Sequence, residues 1–327
     1  MKLRSLAAAL VTNIALATGA LAVDLDPTLP AYKAVSGLSG QFKSIGSDTL
    51  GNLMQRWAEG FKTFYPNVQI DIESKGSNTA PSALIEGVSQ IGPMSRPMDV
   101  AETDAFSKKY GYAVSSLPVA VDALAVYVNK DNPIECLTLQ QVDQIFSKDH
   151  WNSGGINITT WGGTGLTGDW AAKPIALFGR NTLSGTFDTF KDTVLRHGDF
   201  KGEMKQQPDS VTVVRMVAGD KYAIGFSGIG YLTEGVRAVP LEAASKGKCF
   251  DTSAESAYSG GYPLARYLRL YVNKKPKQPL DPLIAEFVRY VLSKDGQSVT
   301  IKGGFYPVPN STRLNSLKSL GLADQAG

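Results

Sequence analysis

Strand-like and helix-like runs alternate through the first third of the chain, and this alternation restricts the fold more than any other feature. Residues 42–45 read as a strand, and residues 50–64 as a helix with Leu53, Trp57, Phe61 and Phe64 on one face. Residues 68–72 read as a second strand, 81–87 as a short helix and 90–92 as a third strand. Runs in this order build a parallel sheet covered by helices, the α/β class. Residues 114–128 then form one long extended stretch, which suits a chain leaving one domain and entering another. A later extended run ends Tyr271-Val272-Asn273-Lys274 and echoes Tyr127-Val128-Asn129-Lys130. Two equivalent strands crossing between the same pair of lobes account for the echo. Central strands of a single domain are the alternative.

The remaining segments follow the same logic. Thr138 caps a helix over 138–146, residues 150–173 read as surface loop, and a strand over 174–178 leads to a helix over 187–195. Residues 211–217 read as helix, 222–226 as strand and 244–261 as a polar loop, while Asp281-Pro282 opens a helix over 284–292. A poorly ordered lead-in is expected over 23–40, and a small polar tail at the end.

The junctions between strands and helices carry the chemistry. Arg180-Asn181-Thr182-Leu183-Ser184-Gly185-Thr186 lies where a strand hands over to a helix. A helix N-terminus offers unpaired N–H donors and a positive dipole end. Ser184 and Thr186 add hydroxyls, Gly185 admits close backbone approach, and Arg180 brings a permanent charge. Gly46-Ser47-Asp48-Thr49-Leu50, Gly76-Ser77-Asn78-Thr79 and Gly92-Pro93-Met94-Ser95-Arg96-Pro97 repeat the pattern after the first three strands. Each loop alone reads equally as an ordinary helix cap. Together, at the carboxyl ends of strands, they describe a cradle for one small tetrahedral anion.

Composition narrows the alternatives. Lys2 and Arg4 precede an apolar stretch over 6–21 that closes on Ala20-Leu21-Ala22, which predicts a secretory signal peptide over residues 1–22. Its removal takes two of the 33 basic residues and none of the 30 acidic ones, leaving a net charge of +1. That is no footprint for nucleic acid. Cys136 and Cys249 of an exported chain are candidates for a disulfide, free buried thiols being the alternative. Two cysteines with His150 and His197 give a zinc site little to build on, so no metal is expected. Gly225-Phe226-Ser227-Gly228-Ile229 narrowly misses the Gly-x-Ser-x-Gly elbow of hydrolases, because Ile229 takes the last glycine position. A secreted phosphatase or esterase is therefore the competing class, and another tetrahedral oxyanion the competing ligand.

Over nearly all of residues 40–315 the chain resembles the periplasmic phosphate-binding proteins of high-affinity phosphate ABC transporters. Arg180-x-x-x-Ser184-Gly185-Thr186 matches their signature, and Gly46-Ser47-Asp48-Thr49-Leu50 matches the first loop of a proteobacterial branch. The resemblance implies a two-lobed α/β fold of the class II periplasmic-binding-protein type, with two extended hinge crossovers. Lobe I is expected over 41–118 plus 268–327, and lobe II over 119–267. The phosphate ligands carried over from the resemblance are Thr49, Leu50, Ser77, Arg180, Ser184, Gly185 and Thr186, and the loops add Asp48 and Ser95 as candidates. No cofactor and no catalysis are implied. The implied partners are inorganic phosphate and permease subunits in the inner membrane. A monomer in the periplasm is expected, with a cell-surface or extracellular population also conceivable.

One departure stands out. Some members of that family carry an Asp in the third loop that accepts the proton of hydrogen phosphate, whereas here Ser95 occupies the place, followed by Arg96. Asp48 is the candidate replacement, with a helix N-cap as its alternative role. In the proton-accepting role, Asp48→Asn should weaken phosphate binding and erode preference over sulfate. Arg96 reads either as reaching the ion or as neutralising a neighbouring carboxylate.

Overall fold

The computed structural model describes residues 23–243 and 247–322, so the expected signal peptide over 1–22 lies outside the described residues. Strand β1 (Gly40–Ile45) leads through the first hydroxyl loop into α1 (Gly51–Phe64). Leu53, Met54, Trp57 and Phe61 of α1 are buried, and the Trp57 indole N–H donates to the Gly296 carbonyl at 2.9 Å. Phe64, expected on that buried face, lies at its margin and stays partly exposed against the Tyr32 ring. Strand β2 (Val68–Glu73) pairs with β1 in parallel, and α2 (Ala80–Glu86) and β3 (Ile91–Met94) follow.

An unexpected helix, α3 (Val100–Tyr110), comes next. Asp99 and Glu102 close a capping box at its start, while its faintly amphipathic face buries only Phe106. Strand β4 (Ser115–Asn129) is then buried at every position from Val119 to Asn129. Strand β5 (Leu137–Thr138) and α4 (Leu139–Phe146) come after it, with Thr138 capping α4 as the sequence suggests. The loop over 150–173 lies less on the surface than its composition implies, because Trp161 is fully buried and its N–H donates to the Tyr222 carbonyl.

Strand β6 (Ala176–Arg180) feeds α5 (Gly185–Thr193), which starts two residues earlier than its apolar residues indicate because Ser184 caps it. Strand β7 (Lys205–Gln207), α6 (Ser210–Gly219), β8 (Ala223–Gly228), β9 (Val236–Ala238) and β10 (Leu241–Glu242) complete this half. The stretch expected as loop over 244–261 contains α7 (Ala254–Tyr258), and its residues 244–246 lie outside the described residues. Cys249 is disulfide-bonded to Cys136, with Cα atoms 6.2 Å apart. Strand β11 (Ala265–Val272) and three helices, α8 (Pro282–Leu292), α9 (Lys294–Lys302) and α10 (Asn310–Ser319), end the described chain.

The strands run β2-β1-β3-β11-β4-β8-β6-β7, with β9 also on β4. Strand β4 changes partner midway. Residues Ser115 to Ala123 pair with β11, whereas Leu124 to Asn129 pair with β8 and β9. This one strand therefore belongs to both halves of a two-lobed periplasmic-binding-protein fold. The echoed Tyr127 and Tyr271 lie on the strand ends that enter opposite halves.

Two expectations fail at the ends. The lead-in is anchored, not loose: Leu29 and Tyr32 are buried, and the Tyr32 hydroxyl bonds to Tyr65 and Glu286 at 2.7 and 2.8 Å. Where only a small polar tail is expected, α9 and α10 follow, and their buried polar residues are satisfied inside. Buried Gln297 donates to the Val119 and Val291 carbonyls and accepts from the Val308 amide, and Arg313 Nε donates to the Leu292 carbonyl.

Candidate anion-binding cleft

Sheet topology brings the four hydroxyl loops to one place. The ends of β1, β2 and β3 deliver the first three from one side, and the end of β6 delivers the fourth from the other. Thr49 and Thr186 meet across the cleft with their hydroxyl oxygens 2.9 Å apart. The Ser77 oxygen lies 3.2 Å from that of Ser95 and accepts from the Ser95 amide at 3.0 Å. A Cβ on Gly185 would lie 2.5 Å from the Ser77 oxygen and 2.9 Å from that of Ser95, so glycine permits this approach. Gly76, at φ +136°, passes so close to the Leu183 carbonyl that a side chain there would overlap it. Asn78 completes the seam, its amide donating to the Leu183 carbonyl and its side chain to the Thr182 carbonyl. Ser47, Ser77, Thr49, Ser95, Arg180, Ser184 and Thr186 are all buried.

Arg180 is held from several sides. Its Nη1 lies 2.8 Å from Asp48 Oδ2 and donates to the Ser210 hydroxyl at 2.8 Å, while Nη2 donates to the Pro208 carbonyl. Burial depresses the guanidinium pKa and Asp48 opposes the shift, so an arginine in this place stays charged. Its Nε has no hydrogen-bond partner, nor do the buried Ser47 and Ser227 hydroxyls. A donor buried in this way calls for an acceptor.

Of the two readings of Asp48, the structure decides the capping one and adds a contact across the cleft. Helix α1 takes Leu50 as its N-cap without a side-chain cap, so the capping role falls. Asp48 Oδ2 instead accepts from the Ser210 amide at 3.0 Å and hydroxyl at 2.7 Å, and from Arg180. Tyr231 secures the same loop by donating to the Asp48 and Thr49 carbonyls. Arg96 takes the neutralising role: it bonds to Glu102 with both terminal nitrogens at 2.7 Å and to Asp188 across the cleft at 2.9 Å.

Sequence reading missed Ser210, Tyr231, Asp122 and Arg266. Ser210 has a signal, since Asp209-Ser210 opens a helix, but nothing local shows that its hydroxyl serves Arg180. Asp122 and Arg266 sit within extended runs and declare themselves only when β4 and β11 pair. The hydrolase alternative gains no support, because buried Ser227 has no hydrogen-bond partner and His197 lies exposed against Asp192. Among the described residues no cluster of three or more His, Cys, Asp or Glu side chains is placed to hold a metal ion, and no helix is long and apolar enough to cross a membrane.

Comparison with known proteins gives the family. A family model described as a PBP superfamily domain matches residues 33–295. The phosphate-binding protein PstS of Pseudomonas aeruginosa is 50% identical over 325 residues, covering 98% of this chain and 100% of that protein. Protein SphX of Synechococcus elongatus is 29% identical over 81% of this chain and 76% of its own length. Among solved structures, one described as a phosphate ABC transporter substrate-binding protein with bound phosphate, from Clostridium perfringens, superposes with a TM-score of 0.70. It is 26% identical and covers 83% of this chain and 100% of its own.

Proposed function

The chain belongs to the PBP superfamily and, within it, to the PstS family of phosphate-binding proteins, and from that membership we propose that it captures inorganic phosphate between its two lobes for an ABC transporter. It breaks no bond. The observation that carries this reading is the meeting of Thr49, Ser77 and Ser95 with Gly185 and Thr186, while Asp48 of the first loop reaches buried Arg180 from the same side. A phosphate has four oxygens and takes many short donors at once. Hydrogen bonds to a charged group contribute about 1.5–3 kcal/mol each. A micromolar site needs about 8 kcal/mol net. The hydroxyls of these loops, the amides around Leu50 and Gly185, and Arg180 supply enough after desolvation and closure.

We assign Asp48 to this site through Arg180. Its Oδ2 already accepts three hydrogen bonds, which leaves that oxygen saturated. The lobes are taken to divide where β4 and β11 meet the hinge, near the boundaries expected from sequence. The mature protein is taken to work in the periplasm as a monomer, presenting its closed form to inner-membrane permease subunits.

Calorimetry of the mature protein with phosphate and with sulfate tests the function. Tight phosphate binding that Arg180→Ala abolishes is the expected result, and no phosphate heat from the wild type would refute it. A thermal-shift panel with molybdate, arsenate and sulfate separates the alternative oxyanions, since the true ligand stabilises at the lowest concentration.

A further inference from the structure

We propose that Arg266 is a positioning residue for the anion clamp: from the hinge it fixes the Thr186 hydroxyl so that its proton is directed into the cleft. This deepens the phosphate-binding reading and rests on it. Arg266 of β11 and Asp122 of β4 are direct register partners, two residues before β4 leaves β11 for β8. Asp122 is completely buried, and the Arg266 side chain is only 9% exposed. Asp122 Oδ2 accepts from Arg266 Nε at 3.0 Å and Nη2 at 2.9 Å, and Asp122 Oδ1 accepts from the Ile229 amide at 2.9 Å. The pair thus uses both carboxylate oxygens and still leaves guanidinium donors to spare.

Those donors reach α5. Nη2 donates to Thr186 Oγ1 at 2.8 Å and Nη1 to Thr189 Oγ1 at 3.2 Å. A hydroxyl can donate or accept, but a guanidinium only donates. Each threonine oxygen facing Arg266 therefore accepts, and its own proton turns elsewhere. Thr189 shows the outcome, since its hydroxyl donates to the Gly185 carbonyl at 2.8 Å while accepting from Arg266. Thr186 is in the same position, and its other neighbour is Thr49 on the opposite wall of the cleft. An oxyanion between these walls needs donors. Because Arg266 sits at the pivot, it keeps hold of α5 when the Asp48–Arg180 contact across the cleft parts.

The test is a double-mutant cycle on phosphate affinity, measured by calorimetry on the mature chain with wild type, Arg266→Lys, Thr186→Val and both together. Lysine keeps a charge for Asp122 but lacks the planar fork that serves two partners. Arg266→Lys should weaken phosphate binding about tenfold, the size of one lost charge-assisted contact. The double variant should bind no more weakly than Thr186→Val alone, with the effect of Arg266 vanishing when the hydroxyl is gone. Losses that multiply, or an Arg266→Lys protein with wild-type affinity, would overturn the proposal. If Arg266→Lys does not fold, replacing the whole pair (Asp122→Leu with Arg266→Met) removes the stranded buried charge and is read in the same cycle. A wild type that fails to bind phosphate removes the functional reading and this inference together. A wild type that binds, with multiplying losses, removes the inference alone.

Discussion

Arg180, fully buried, and Arg266, nearly so, are each paired with a carboxylate from a distant part of the chain, yet they sit at opposite ends of the lobe closure. Arg180 reaches Asp48 across the cleft, so its pairing depends on the two halves being together. Arg266 meets Asp122 on adjacent strands at the hinge, where sheet pairing already holds the two residues face to face. The first pair is a latch and the second a pivot. A latch must be breakable, and its neighbours are short hydroxyls and amides that an ion can rebridge. A pivot must persist, and Asp122 is accordingly enclosed, with both oxygens bonded. Removing one member of a buried pair costs about 3–5 kcal/mol, because the other is left uncompensated. The two sites should register that loss in different observables: affinity at the latch, folding and donor geometry at the pivot.

Arg180→Ala gives the largest expected effect on binding. It deletes the buried, unpartnered Nε and strands Asp48, and phosphate affinity should fall at least about 100-fold, equivalent to about 2.7 kcal/mol or more. Calorimetry reads it directly, and a loss below threefold would show that the latch is not part of the site. Gly76→Ala comes next. Its Cβ collides with the Leu183 carbonyl only when the walls are together, and its φ of +136° disfavours any side chain. X-ray scattering should show that phosphate no longer compacts this variant, with affinity reduced by about 30-fold or roughly 2 kcal/mol. Normal compaction would mean that the Gly76–Leu183 seam does not form on closure.

Asp48→Asn sharpens the comparison. The amide keeps the shape and loses the charge that anchors Arg180, so phosphate and sulfate should both weaken by about tenfold. A competition titration in which sulfate gains on phosphate would instead give Asp48 the proton-accepting role. The disulfide is the smallest effect on binding. Cys136→Ala with Cys249→Ala opens a loop closed over 113 residues and should lower stability by about 2–4 kcal/mol in thermal unfolding, with phosphate affinity unchanged. A tenfold loss of affinity would tie that loop to the cleft.

How much was legible beforehand follows the same division. The loops that carry the latch could be read, though not the pairing itself, because their residues cluster in short junctions after strands, where capping chemistry and anion chemistry use the same amino acids. The alternation of apolar residues exposed the strands and α1, and the unusual length of residues 114–128 announced that β4 serves both halves. The pivot could not be read, since Asp122 and Arg266 are 144 residues apart and each looks like one charged residue in an extended run. The last two helices, α9 and α10, escaped for a related reason. Gln297, Thr300 and Arg313 are buried by tertiary hydrogen bonds, so polarity there disguises core positions. Asp48 was placed in the right loop, but its nearest partners, Ser210 and Arg180, come from the other side of the cleft.

The central claim is that loops from both halves share one anion. A crystal structure of the mature chain grown with phosphate tests it most directly. The phosphorus should lie between the Thr49 and Thr186 hydroxyls, with Ser77, Ser184 and Arg180 Nε within hydrogen-bond distance. Phosphate bound at some other surface, with the Thr49–Thr186 contact left intact, would contradict it.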